Sequence, residues 1–197
     1  HIQSRHLLNG VELCTSRGCI HKCTFCTIIG RQTYMSRSAE NLTELLGRYV
    51  ERYEELFVEG IPGNAFKLHL SDDDFACDKP RAAEFFTRIL ETPFRLSSVQ
   101  VAITDLCKRE GSRLTTEPDH EFLDTVKPEC FYHAHEDIPD DEYIADQHDR
   151  RWSAFLQMGV ESFSDRELAR LGKGYGRAHI RAIAAELDRR GLHFDAY

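Results

Sequence analysis

Residues 17–27 read RGCIHKCTFCT, with Cys19, Cys23 and Cys26 in a C-x3-C-x2-C spacing and Phe25 directly before the last thiol. A closed tetrahedral zinc site normally recruits four protein ligands, and a closed four-iron cube does the same. This loop supplies three. His21 stands two positions from both Cys19 and Cys23, so it would have to fold back among its own neighbours to serve as a fourth. If the three thiolates instead hold three irons of a four-iron, four-sulfur cube, the remaining iron keeps open positions for a small molecule. Open coordination points to catalysis rather than scaffolding.

At 197 residues the chain falls in the size range of one domain with a real core. Hydrophobic residues at 41% and charged residues at 29% are those of an ordinary globular protein, not a disordered one. A net charge of −8 supplies no basic field, so nucleic acid is not favoured as a partner by charge. No apolar run is long enough to span a bilayer, and the start, HIQSRHLLNG, lacks the order of a signal peptide, so no membrane partner and a cytoplasmic location are expected. Seven cysteines, three of them within eight residues, suit metal ligation in a reducing compartment better than a disulfide framework.

Outward from the loop, strands and helices alternate. Val11 to Thr15 reads as strand one, AFKLHL at 65–70 as strand two, SSVQVAI at 97–103 as strand three, WSAFLQMGV at 152–160 as strand four and LHFDAY at 192–197 as strand five. Apolar residues at helical spacing predict helices over Ala39 to Val58, started by Ser38 with Asn41 and ended by Gly60, Pro62 and Gly63, over Pro80 to Leu90, and over Ala178 to Arg190. Between Asp105 and Arg151 the pattern is broken: helical pieces such as DHEFLDTV are interrupted by Pro118, Pro128 and Pro139 and by the acidic run DIPDDEY. The alternation predicts right-handed βαβ units, a parallel sheet and a single α/β domain.

In such a sheet the carboxyl ends of the strands deliver the chemistry. Strand one delivers the three cysteines, strand two Asp72, Asp73 and Asp74, strand three Thr104, Asp105 and Cys107, and strand four Glu161 and Ser162. Thiols and carboxylates are therefore expected on one face.

The cysteine loop, with its aromatic residue before the third thiol, resembles the hallmark of the radical S-adenosylmethionine (SAM) superfamily. YMSRSAENLTEL (34–45), LSDDDF (70–75) and MGVESFSDRELARLGKGY (158–175) are similar to segments of its cobalamin-associated and methylthiotransferase-like branches. The resemblance runs from about Val11 to the end. It implies a partial (βα)6 TIM-like barrel across residues 1–197, with strands one to five present and the sixth unit missing from this chain, which then reads as part of a longer protein. It implies a 4Fe-4S cluster on Cys19, Cys23 and Cys26, with SAM as the missing ligand of the fourth iron, cleaved to a 5′-deoxyadenosyl radical that modifies an unidentified substrate. It implies an electron donor of flavodoxin or ferredoxin type, and cobalamin through a domain absent here. By motif position Phe25 would lie near adenine and Glu161, with Ser162 beside it, at the SAM ribose. Asp72 or Asp73 would meet the SAM ammonium, strand register leaving Asp72 with Asp74, or Asp73 alone, pointing inward. Arg170 is the cation assigned to the SAM carboxylate.

Plainer readings stand beside these. Asp72 to Asp74, or Glu161 and Ser162, could cap the helices that follow them. Lys79, Arg37 and Lys173 read as surface charges, GKGYG at 172–176 as a bent helix connection without a ligand, and His133, His135 and Glu136 as a polar loop. Cys14, Cys77, Cys107 and Cys130 read as small buried hydrophobes, with Cys77 and Cys107 nearest the acidic face. Two other functions compete: methylthio transfer to RNA or protein, and a non-catalytic, zinc-stabilised binding domain.

Overall fold

The computed structural model describes residues 10–28, 33–52, 66–132 and 155–197. In chain order its strands are β1 (Val11–Leu13), β2 (Ser16–Gly18), β3 (Tyr34–Ser36), β4 (Phe66–Leu70), β5 (Phe94–Leu96), β6 (Val99–Val101), β7 (Cys107–Glu110), β8 (Arg113–Pro118), β9 (Leu156–Met158) and β10 (Phe194–Ala196). Its α-helices are α1 (Ala39–Arg52), α2 (Lys79–Ile89), α3 (Ile103–Leu106), α4 (His120–Leu123), α5 (Asp165–Arg170) and α6 (Arg177–Arg189).

Alternation of apolar and polar residues makes the strands. β1 buries Val11 and Leu13 and exposes Glu12; β6 does the same with Val99, Val101 and Gln100. Two parallel sheets result, in the orders β1-β4-β5 and β10-β9-β6. Only Ser97 and Ser98 separate β5 from β6. Ser97 N–H still donates to Leu68 of β4 at 2.8 Å, whereas Val99 N–H donates to Phe155 beside β9 at 3.0 Å, so one bent segment passes from the first sheet to the second. The chain is thus α/β with parallel sheets. Among the described residues the sheets stay open and do not close into a barrel.

Parallel neighbours require crossovers, and the helices supply them. α1 turns Ala39, Leu42 and Leu46 inward at spacings of three and four, and α2 does so with Ala82, Phe85, Phe86 and Ile89. Ser38 and Asp78 cap the two helices, accepting from Asn41 N–H and Arg81 N–H, each at 3.2 Å. Phe86 meets Phe75 edge-on at 5.4 Å between ring centres, and Phe131 stacks on Phe155 at 4.7 Å. Full burial of each such ring contributes about 1.5–3 kcal/mol.

Of the span 97–103 expected as strand three, only Val99–Val101 is strand; Ile103 already opens α3, and β5 (Phe94–Leu96), just before the Ser97-Ser98 change of sheet, was not anticipated. The segment after Asp105, read as broken helix, holds the antiparallel hairpin β7–β8 before the short α4. The hairpin β2–β3 brackets the cysteine loop, pairing Gly18 with Tyr34 and Ser16 with Ser36. The helix predicted to Val58 is described to Arg52, and its expected stop at Gly60, Pro62 and Gly63 lies outside the described residues, as do His133, His135, Glu136 and the acidic run at 137–143. No described helix is long and apolar enough to cross a membrane.

Candidate functional site

The carboxyl ends of β1, β4, β6, β9 and β10 face one cavity of about 260 Å³. Cys19, Cys23 and Cys26 line it together with Phe25, Asp73, Asp74, Glu161 and Lys173. The three thiols are free and half-buried. Their loop is held by the chain that follows β9: Thr24 N–H donates to Leu171 at 2.9 Å, and Gly172, at φ +69°, passes so close beneath that a Cβ there would lie 2.8 Å from the Lys22 carbonyl. At the start of the loop, Gly18 N–H donates to Asp73 Oδ2 at 2.9 Å.

Lys173 is the largest departure from the sequence reading. Its side chain is only 9% exposed and its Nζ lies 3.1 Å from Glu161 Oε1, 3.0 Å from the Gly159 carbonyl and 5.1 Å from the centre of the Phe25 ring. The residue read as a surface charge is therefore the cation on the cavity wall. Arg170, assigned that role from sequence, is 74% exposed, pairs with Glu167 at 2.9 Å and does not line the cavity. The six-residue α5 points it outward, and the turn through Gly172 and Gly174, both at positive φ, folds Lys173 back beneath the loop. Glu161 takes a left-handed φ of 64° and lines the cavity. Ser162 does not: its Oγ accepts from Ser164 N–H at 3.1 Å in the turn before α5. Ser164, accepting from Glu167 N–H, is the cap of that helix.

The three aspartates divide. Asp72 is buried beneath the cavity, where it accepts from the hydroxyls of Thr15 and Ser16 and from Ser16 N–H, while Arg81 donates to Thr15 Oγ1 at 2.9 Å. It does not reach the cavity. Asp73 and Asp74 both do, so strand alternation failed at this bend. Asp74 is 2% exposed.

His21, which would have had to fold back on its own loop to serve as a fourth ligand there, instead turns inward onto the strand-end carboxylates. Its Nε2 lies 3.0 Å from Asp74 Oδ2, 3.5 Å from Asp105 Oδ2 and 3.4 Å from Thr104 Oγ1. Burial works to strip its proton, but the carboxylates of Asp105 and Asp74 outweigh burial and push its pKa up to about 10. Burial pushes Asp74 up to about 7, against the pull of His21. A hydrogen bond with the Cys77 thiol lowers Cys19 to about 6, and the same contact, with burial, raises Cys77. A thiolate at Cys19 is the species a soft metal takes. Cys107 and Cys130 are buried, as read, and Lys79 is half-buried against Asp119 at 2.6 Å rather than free at the surface.

Neither a family model nor a curated protein sequence matches this chain. Solved structures do match. The cobalamin-dependent S-adenosylmethionine radical enzyme OxsB, with aqua-cobalamin and S-adenosylmethionine bound, is 19% identical with a TM-score of 0.60 over 95% of this chain and 23% of that one. The radical S-adenosylmethionine methyltransferase TsrM from Kitasatospora setae, with cobalamin and a 4Fe-4S cluster bound, is 16% identical with a TM-score of 0.55 over 98% of this chain and 29% of that one. The chain spans about a quarter of the length of these proteins and shares their fold.

Proposed function

We propose that this chain, which shares the fold of cobalamin-dependent radical SAM enzymes, is a radical SAM core holding a four-iron, four-sulfur cluster on Cys19, Cys23 and Cys26. One observation carries the proposal: three free, half-buried thiols from a single loop line the same cavity as two carboxylates that directly follow parallel strands, Asp73 after β4 and Glu161 after β9, and the largely buried Lys173 side chain. That donor set fits the cluster, because soft thiolates suit iron and no fourth residue of the C-x3-C-x2-C loop completes the cube. When bound, the cluster and SAM supply a 5′-deoxyadenosyl radical that abstracts hydrogen from substrate.

The chain's own residues position SAM. Asp73 is assigned to the methionyl ammonium in place of Asp72, whose oxygens are occupied by Thr15 and Ser16. Lys173 replaces Arg170 as partner of the carboxylate. Glu161, by its motif position, accepts from the ribose hydroxyls through charge-assisted bonds, and Phe25 flanks adenine. Residues 1–197 then supply strands one to five of a six-unit barrel. Cobalamin, an electron donor of flavodoxin or ferredoxin type and the substrate contacts belong to other parts of a longer protein or to partners. The seven free thiols suit a reducing compartment such as the cytoplasm.

Anaerobic reconstitution with iron and sulfide tests the assignment. About four irons and four sulfides per chain and reductive SAM cleavage are expected, and Cys23→Ala should abolish both. A chain that takes up no iron, or a Cys23→Ala variant that still cleaves SAM, overturns it.

A further inference from the structure

Against the cysteine loop lies a second donor set that shares only Cys19 with the cluster. Cys77 ends a one-turn 3-10 helix (Phe75–Cys77) just after Asp74, which places its Sγ 3.5 Å from Asp74 Oδ2. Cys19 Sγ lies 3.8 Å from that same oxygen and His21 Nε2 lies 3.0 Å from it. One donor atom from each of Cys19, His21, Asp74 and Cys77 falls within 4.8 Å of every other. Zinc bonds of about 2.0–2.3 Å to nitrogen, oxygen and sulfur set tetrahedron edges of roughly 3.3–3.8 Å, so these donors already stand near the spacing of ligands round one ion. A cube separates its thiolates further, each on a different iron.

A second observation points the same way. Asp74 Oδ1 is buried without a hydrogen-bond partner, and Asp105 Oδ2, also without a hydrogen bond, has the His21 imidazole 3.5 Å away. A buried carboxylate oxygen left unpaired is costly, and here two carboxylates face the imidazole of His21. The pocket therefore carries surplus negative charge beside soft sulfur, the environment that a divalent, thiophilic cation relieves.

We infer that Cys19, His21, Asp74 and Cys77 form a tetrahedral site for a single zinc-type cation, and that sharing Cys19 makes this site and the three-cysteine cluster mutually exclusive. Loading is a ligand exchange without redox change: the thiols and the imidazole give up their protons as the ion binds. The single ion holds the cysteine loop against the end of β4 while Cys23 and Cys26 remain free. Iron–sulfur assembly then has to displace it. The exclusion rests on the cluster assignment; the cation site itself does not.

Cobalt(II) chloride is the probe, titrated into the metal-stripped, reduced 197-residue chain under argon. The expected result is one equivalent bound with the intense visible bands of tetrahedral cobalt and a thiolate charge-transfer band, displaced by zinc chloride. Cys77→Ala and Asp74→Asn should each weaken cobalt at least about 100-fold, since even second-shell losses reach that size. Cys23→Ala and Cys26→Ala should bind it as tightly as the parent. Reconstitution reverses the pattern: Cys77→Ala assembles a cluster and Cys23→Ala does not, and zinc loaded beforehand slows assembly in the parent. Circular dichroism of each variant guards against unfolding. Cobalt retained in Cys77→Ala and Asp74→Asn, cobalt lost in Cys23→Ala, or a weak octahedral spectrum overturns the site. Failure of every chain to assemble a cluster, with the cobalt pattern intact, removes the proposed function and leaves the cation site standing.

Discussion

Asp72 and Asp74 sit two residues apart at the end of one strand, both buried, yet they are built oppositely. Asp72 accepts from Thr15, from the Ser16 hydroxyl and from Ser16 N–H, and serves as the rivet between β4 and the β1–β2 corner. Asp74 leaves Oδ1 unpaired and gives its other oxygen to an imidazole and two thiols. Burial alone does not separate a structural carboxylate from a functional one. Satisfaction does, because a fully bonded carboxylate has no capacity left for a ligand, whereas an unpaired one is held at a cost that a ligand or a proton relieves.

The largest effect is expected at two thiols that share the cavity with Asp74 without touching it. Cys23→Ala or Cys26→Ala should eliminate cluster iron altogether while leaving the thermal melting of the cluster-free chain within a few degrees, since both side chains are half-buried and make no bond to the Asp72 rivet. Next in size is the rivet itself. Asp72→Ala strands the donors of Thr15 and Ser16 and leaves the buried Arg81 without a nearby countercharge, so a loss of about 3 kcal/mol in urea unfolding is expected. Asp74→Asn, equally buried, should cost less than about 1 kcal/mol, because few bonds are lost. Equal losses at the two positions would dissolve the distinction.

The regular part of this contrast was readable in advance. Alternating strands, helices spaced at three and four, and the Ser38 start are local signals, and β1, β4, β6, β9, β10 and the helices α1, α2 and α6 fall within or close to the spans their residues predict. The gathering of thiols and carboxylates at the strand ends, which follows from parallel topology, was equally legible. What escaped is non-local. Lys173 reaches the cavity only because two glycines at positive φ turn the chain under Lys22 and Thr24, a contact across nearly 150 positions that no spacing reveals. His21 and Cys77 meet through Asp74, again across distant segments. The β7–β8 hairpin did carry a local signal, the two-residue Gly111-Ser112 turn in CKREGSRLTTEP, but its strands are charged and largely exposed and so lack an apolar alternation.

Lys173 and Arg170 restate the contrast for cations. Both lie in the segment after β9, one lining the cavity and one in solvent. Lys173→Ala should weaken SAM binding to the reconstituted chain about tenfold, or roughly 1.4 kcal/mol. Arg170→Ala should leave it unchanged, as surface changes usually stay within about 0.5 kcal/mol. Equilibrium dialysis with labelled SAM decides between them, and a larger effect at Arg170 would return the role to the residue first chosen from sequence.

The smallest effect concerns a carboxylate satisfied in a third way. Glu186 on α6 accepts from Arg189 and Arg190 at 2.6 Å each, and these charged partners, Arg189 first, pull its pKa down to about 2. Asp72, bonded mainly by neutral hydroxyls and an amide, is instead pushed up by burial. Charged donors thus overcome desolvation where neutral ones do not. A depressed folded-state pKa means stability that is full above the unfolded value, near 4.5, and that disappears as pH falls through about 2. Glu186→Gln should therefore melt slightly lower than the parent at pH 7, by less than about 1 kcal/mol because the arginines are partly in solvent. The difference should shrink steadily between pH 4.5 and 2. A gap that stays constant over that range would show that Glu186 acts by packing, and that charge is not what sets it apart from Asp72.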